Sequence, residues 1–97
     1  MKWEPVLGVA VEDWGIKRMK TKWGSCNAKA RRIWLNLELV KKPPACLEYV
    51  VVHELVHLRD QKHGPRFLAL MDEHLPCWRR RRTELNAAPL AKEDWGC

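Results

Sequence analysis

Two histidines four residues apart, with a glutamate directly after the first, stand in an apolar run at His53-Glu54-Leu55-Val56-His57. On an α-helix such residues lie one above the other, so both imidazoles can reach one metal ion. Glu54 is displaced around the helix, near enough to act on a water at that metal without ligating it. A zinc hydrolase divides the labour in this way, with imidazoles for the metal and a carboxylate for the proton.

A catalytic zinc takes three protein ligands and keeps one position open. His63 is the leading third ligand, giving the spacing His-x-x-x-His-x-x-x-x-x-His. That is metzincin spacing, with Asp60 where those enzymes carry a glycine between the second and third histidines. Aspartate tolerates left-handed backbone better than most residues, so the helix is expected to stop near Asp60. Glu73, His74 and Glu84, on later predicted helices, are the rivals for the third place.

The elements that must position these groups follow from punctuation and periodicity. Pro43-Pro44 opens a long helix to about Asp60, with Leu47, Val51, Leu55 and Leu58 as its buried stripe. Gly64-Pro65 starts a third helix that runs to about His74 and buries Phe67, Leu70 and Met71. Pro76 ends it and begins a fourth, to about Asn86, with Trp78 and Leu85 facing inward. Upstream, Ile16 to Trp23 and Arg31 to Asn36 read as two strands of a β-hairpin, joined by the turn material Gly24 to Ala30. Leu37 to Val40 adds a short helical turn. Pro5 and Gly8 oppose a regular helix at the N-terminus. The expectation is one α+β domain over 1–97: a minimal zincin-like fold with a small antiparallel sheet on an active-site helix and backing helices. Residues 1–15 form an entry segment and residues 87–97 a tail.

The chain has 97 residues, 46% of them hydrophobic, which suffices for one core but not two. Six tryptophans supply much of the bulk. Most of these are packing residues, while Trp23 and Trp34 are candidates to wall a substrate cleft. No export signal and no apolar run of ~18 residues is present, which argues against membrane insertion and for the cytoplasm. Cys26, Cys46, Cys77 and Cys97 form no Cys-x-x-Cys pair, so structural, reduced thiols are expected. The net charge of +6 is clustered at Lys17, Arg18, Lys20 and Lys22, at Arg31-Arg32 and at Arg79-Arg80-Arg81-Arg82. Such patches favour polyanions, including nucleic acid. Abundant acidic residues and the lack of a nucleic-acid-binding motif favour an ordinary solvated face.

Three stretches together carry a family likeness: Met19-Lys-Thr-Lys-Trp-Gly-Ser-Cys26, Ile33-Trp-Leu-Asn36 and Val50-Val-Val-His-Glu-Leu-Val-His-Leu58. With His63-Gly-Pro-Arg-Phe67 and the helix from Pro76-Cys-Trp78 to Leu85, the chain resembles the YgjP-like metallopeptidases, relatives of the SprT-like and WLM zinc proteases. The resemblance implies zinc held by His53, His57 and His63, with Glu54 catalytic. Typical members of that family are longer, with a further N-terminal region, so the chain is expected to be a minimal member or an excised domain, without any substrate contacts which that region makes.

The leading expectation is therefore a zinc metallopeptidase acting on peptide or protein substrates. Glu54 serves as general base, and an exposed strand edge near Trp23 pairs with the extended substrate. Arg81, Arg82 and His74 are candidate substrate or oxyanion contacts. Two alternatives remain open: a metal-dependent hydrolase of nucleoside triphosphates, and a zinc-stabilised nucleic-acid-binding module.

Overall fold

The segment Tyr49–Val56 is buried without interruption, although its three consecutive valines are mediocre helix formers. Tertiary burial therefore holds this helix, α2 (Pro44–Arg59), and the rest of the chain is arranged around it. The computed structural model describes residues 3–20, 22–60 and 64–87. Within them, α1 (Trp3–Leu7), β1 (Asp13–Lys17), β2 (Gly24–Asn27), β3 (Arg32–Asn36) and a 3₁₀ turn (Leu37–Lys41) precede α2. Helices α3 (Pro65–His74) and α4 (Trp78–Asn86) follow it. The α+β class is as expected. α2 packs against β2 and β3 on one side and against α1, α3 and α4 elsewhere. No helix among the described residues is long and apolar enough to cross a membrane.

The sheet departs from the sequence reading. It is mixed rather than antiparallel, in the order β1-β3-β2, with β1 parallel and β2 antiparallel to β3. Of the expected strand from Ile16 to Trp23 only Ile16 and Lys17 are strand, as the end of β1, the other described residues are loop, and the expected turn contains β2. Asn36 supplies the reason. Its Nδ2 donates to the carbonyls of Met19 (2.8 Å) and Lys22 (2.7 Å), satisfying a looped backbone that would otherwise need a strand partner. Its Oδ1 accepts from the Glu38 amide at 2.9 Å and so caps the 3₁₀ turn.

α1 is a second correction. Pro5 lies in its first turn, where no intrahelical donor is required, and Gly8 ends it at φ +70. The Val9 amide reaches Glu4 O (3.0 Å) and the Gly8 amide Pro5 O (3.3 Å), the two bonds of a Schellman stop. Both residues bracket the helix instead of opposing it. Helix α2 stops at Asp60 as expected, although that residue caps it in extended backbone (φ −141, ψ 107) rather than left-handed. Its predicted stripe is only partly right, because Leu47 is 41% exposed while the opposite side of the helix is buried too. The tail beyond 87 lies outside the described residues.

Candidate active site

His53 and His57 project from adjacent turns of α2 with ring centroids 4.7 Å apart. Phe67, near the start of α3, packs against both, 5.2 Å from the His53 ring and 4.8 Å from the His57 ring. Tyr49, one turn earlier on α2, meets His53 edge-on at 5.8 Å. The Gly64-Pro65 break places Phe67 there, since α3 starts at Pro65 and buries Phe67 and Met71. An aromatic floor and wall thus hold two imidazoles on one stripe of a rigid helix.

Glu54 is 3% exposed and His53 1%, so each needs a polar partner. His53 Nδ1 lies 3.3 Å from Glu54 Oε2. A carboxylate at that nitrogen favours the tautomer with the proton on Nδ1, leaving the Nε2 lone pair for a metal. Gly24 and Cys26, alternate residues of β2, face α2 on this side. Burial, reinforced by the Glu54 carboxylate, pushes the Cys26 thiol up to about 11. Cys26 is accordingly a neutral thiol beside Glu54 at neutral pH.

The donor set suits a zinc-type ion, with imidazole rings one turn apart and a carboxylate beside one of them. These two rings are all that the described residues contribute, since no group of three or more His, Cys, Asp or Glu converges among them. His63, the expected third ligand, lies outside the described residues. Its rivals are engaged elsewhere. Glu84 accepts from Cys46 Sγ (3.7 Å) and Arg81 (2.7 Å). Cys46 precedes His53 by seven residues, about 10 Å along the helix axis. His74 Nε2 pairs with Glu73 at 3.0 Å, and its ring meets Trp3, whose Nε1 donates to Glu48 at the N-terminal half of α2.

The substrate-contact candidates are redistributed by the fold. Trp23 is a core residue, 2% exposed, with Lys42 over its ring, so it cannot wall a cleft. Trp34 lies on the sheet face away from α2, with its ring against Gly15, where an added Cβ would collide with it. Lys17 and Arg32 flank that ring at 4.6 and 5.7 Å. Arg81 is tied to Glu84, and Arg82 sits over the Trp78 ring at 5.4 Å, so both serve α4 and its packing. Sequence reasoning passed over Gly24, Cys26 and the contact role of Phe67. Gly24 and Cys26 lie in the Trp-Gly-Ser-Cys stretch and Phe67 in the Gly-Pro-Arg-Phe stretch of the family likeness, but small residues after a tryptophan carry no local signal for a strand facing α2.

A family model described as YgjP-like, metallopeptidase domain matches residues 1–88. The chain belongs to the YgjP-like metallopeptidase family. Among solved structures, this YgjP-like domain is similar to the metallopeptidase zymogen abylysin of Pyrococcus abyssi. That match has TM-score 0.73 and 19% identity over 82% of this chain and 81% of that one. It is also similar to the metallopeptidase zymogen jannalysin of Methanocaldococcus jannaschii, with TM-score 0.66 and 25% identity over 76% and 75% of the two chains. No curated protein matches it. Family membership carries metal-dependent peptidase chemistry as the general expectation for the α2 site.

Proposed function

We propose that this YgjP-like domain is a zinc-dependent peptidase that hydrolyses peptide bonds with Glu54 as general base. His53 and His57 hold the metal with His63 as third ligand. The observation that carries this reading is the buried pair of imidazoles 4.7 Å apart, with the Glu54 carboxylate 3.3 Å from His53. Zinc, when bound, supplies Lewis acidity at the substrate carbonyl and acidifies a water. Glu54 accepts the proton of the attacking water and passes it to the leaving amine. His53, with Nδ1 on Glu54, keeps that carboxylate from swinging out of the site. Phe67 and Tyr49 restrict the imidazoles and exclude bulk water from their inner side.

The substrate strand is assigned to β2 rather than to the segment ending at Trp23. β2 is an edge of the sheet and packs on α2, so an extended peptide pairing with its outer side passes close to Glu54. The free thiols of Cys26, Cys46 and Cys77 suit a reducing compartment such as the cytoplasm.

Against a triphosphate hydrolase stands the character of the donors present, paired imidazoles rather than the carboxylates that magnesium takes. Against a nucleic-acid module stands the pairing of the basic residues. Arg18 faces Glu38, Arg32 faces Asp13, Arg79 faces Asp72 and Arg81 faces Glu84. One set of assays separates the three readings: a fluorogenic peptide library, nucleoside triphosphates and an oligonucleotide titration on the zinc-loaded chain. Peptide cleavage should stop with a chelator, return with zinc, and fall by roughly 10²–10⁴-fold in Glu54→Gln. Phosphate release indifferent to Glu54→Gln, or oligonucleotide binding with a steep salt slope and no cleavage, contradicts the proposal.

A further inference from the structure

We infer that Gly24 is a positioning residue for the Glu54 carboxylate, the absent side chain at the start of β2 forming the niche in which that carboxylate sits. The inference rests on the peptidase reading for its catalytic meaning, and on packing alone for its existence. Gly24 pairs with Leu35 of β3, and its missing Cβ points at α2. A Cβ built there would stand 3.0 Å from Glu54 Oε2, 3.1 Å from Glu54 Cγ and 2.8 Å from Val50 Cγ1. Oε2 is the same oxygen that lies 3.3 Å from His53 Nδ1. The strand backbone and the histidine therefore hold one carboxylate from two sides.

Backbone conformation does not require glycine at this position, because Gly8 alone among the described glycines has positive φ. Space does. In most strands alanine is favoured over glycine, since glycine loses more freedom on folding. A methyl group at 24 adds no backbone strain and acts through what it touches. Val50 belongs to a buried helix and has little room to move. The carboxylate end of Glu54 is the softer neighbour, so the methyl, besides pressing on Val50, displaces it by a few tenths of an ångström and disturbs the contact of Oε2 with His53.

The test uses the full zinc-loaded chain. Gly24→Ala should lower kcat by about tenfold or more at nearly unchanged KM, as expected for a misplaced catalytic group. Gly24→Ala combined with Val50→Ala removes the tightest contact and keeps the variant folded if the single substitution does not. The decisive readout needs no activity: urea unfolding of Gly24→Ala in the Val50→Ala background, with Glu54 present and with Glu54→Ala. The loss caused by the methyl should largely disappear once the Glu54 side chain is gone. An equal loss in both backgrounds overturns the inference, as does a kcat unchanged by the methyl in an active enzyme. Absence of any peptide cleavage by the wild type would instead count against the proposed function, and the unfolding cycle would still decide the role of Gly24.

Discussion

Replacing Phe67 by leucine separates packing from metal positioning at the site. Phe67 is buried and touches both imidazoles, at 5.2 and 4.8 Å. Truncation to alanine would cost about 3–5 kcal/mol, against about 5–15 kcal/mol of total stability for a small domain, and risks unfolding it. Leucine keeps most of the volume and should cost about 1–1.5 kcal/mol. For a domain near this size, each kcal/mol lowers Tm by roughly 4–8 °C, so the zinc-free variant should melt about 4–12 °C below the wild type. At a zinc concentration 100-fold above Kd, metal binding adds about 2.7 kcal/mol to the wild type. If the flat ring is what restricts the imidazoles, leucine weakens zinc binding by about tenfold. The zinc increment then shrinks by about 1.4 kcal/mol at the same free metal. Urea unfolding followed by tryptophan fluorescence, with chelator and with buffered zinc, measures both quantities. A full zinc increment in a destabilised variant would refute the positioning argument and leave Phe67 as a packing residue only.

Asn36→Ala should cost about 2–4 kcal/mol in urea unfolding, since it removes three hydrogen bonds and leaves the carbonyls of Met19 and Lys22 unsatisfied. Asn36→Asp should be no better, because a carboxylate facing two carbonyls supplies no donor. Asp72 joins α3 to α4 by accepting from Trp78 Nε1 (2.9 Å) and Arg79 (2.7 Å), and these bonds hold its carboxyl below the ordinary value. Its contribution is therefore present above the unfolded aspartate pKa and is lost as pH falls through the lower, folded one. The stability gap between wild type and Asp72→Asn should be largest near neutrality and close on acidification, and a gap independent of pH would contradict this. With its thiol near 11, Cys26 should alkylate at pH 8 on the order of 10²-fold more slowly than an ordinary thiol. Peptide mapping should show the exposed Cys77 labelled first. Glu54→Gln should speed labelling of Cys26 by removing the nearby negative charge.

The helical half of the fold was legible because its signals are local. Pro44, Gly64 and Pro65 punctuate helices, and the His53–His57 spacing has one meaning once Val50–Val56 is helical. Leu47 misled because a helix buried on several sides has no single stripe to read. The sheet was harder because β1 and β3 pair in parallel across an intervening loop and strand, with Asp13 opposite Arg32. No local periodicity reports such a pairing. The sequence from Arg18 to Trp23 imitates a strand by alternation, and only the distant Asn36 side chain, bonded to the carbonyls of Met19 and Lys22, reveals otherwise. Within the site, the juxtaposition of two imidazoles and a carboxylate on one helix was visible from spacing alone. Gly24 was not, since a glycine needed for space looks the same in a sequence as one needed for a turn.

In the proposed mechanism one helical turn supplies two imidazoles to a single zinc, while the neighbouring carboxylate moves protons rather than binding metal. Calorimetric zinc titration of chelator-stripped wild type, His53→Ala, His57→Ala and Glu54→Gln tests it directly. Wild type and Glu54→Gln should bind about one zinc per chain at similar affinity, and each histidine variant should bind at least ~10²-fold more weakly. Equal zinc affinity in all four proteins would contradict it.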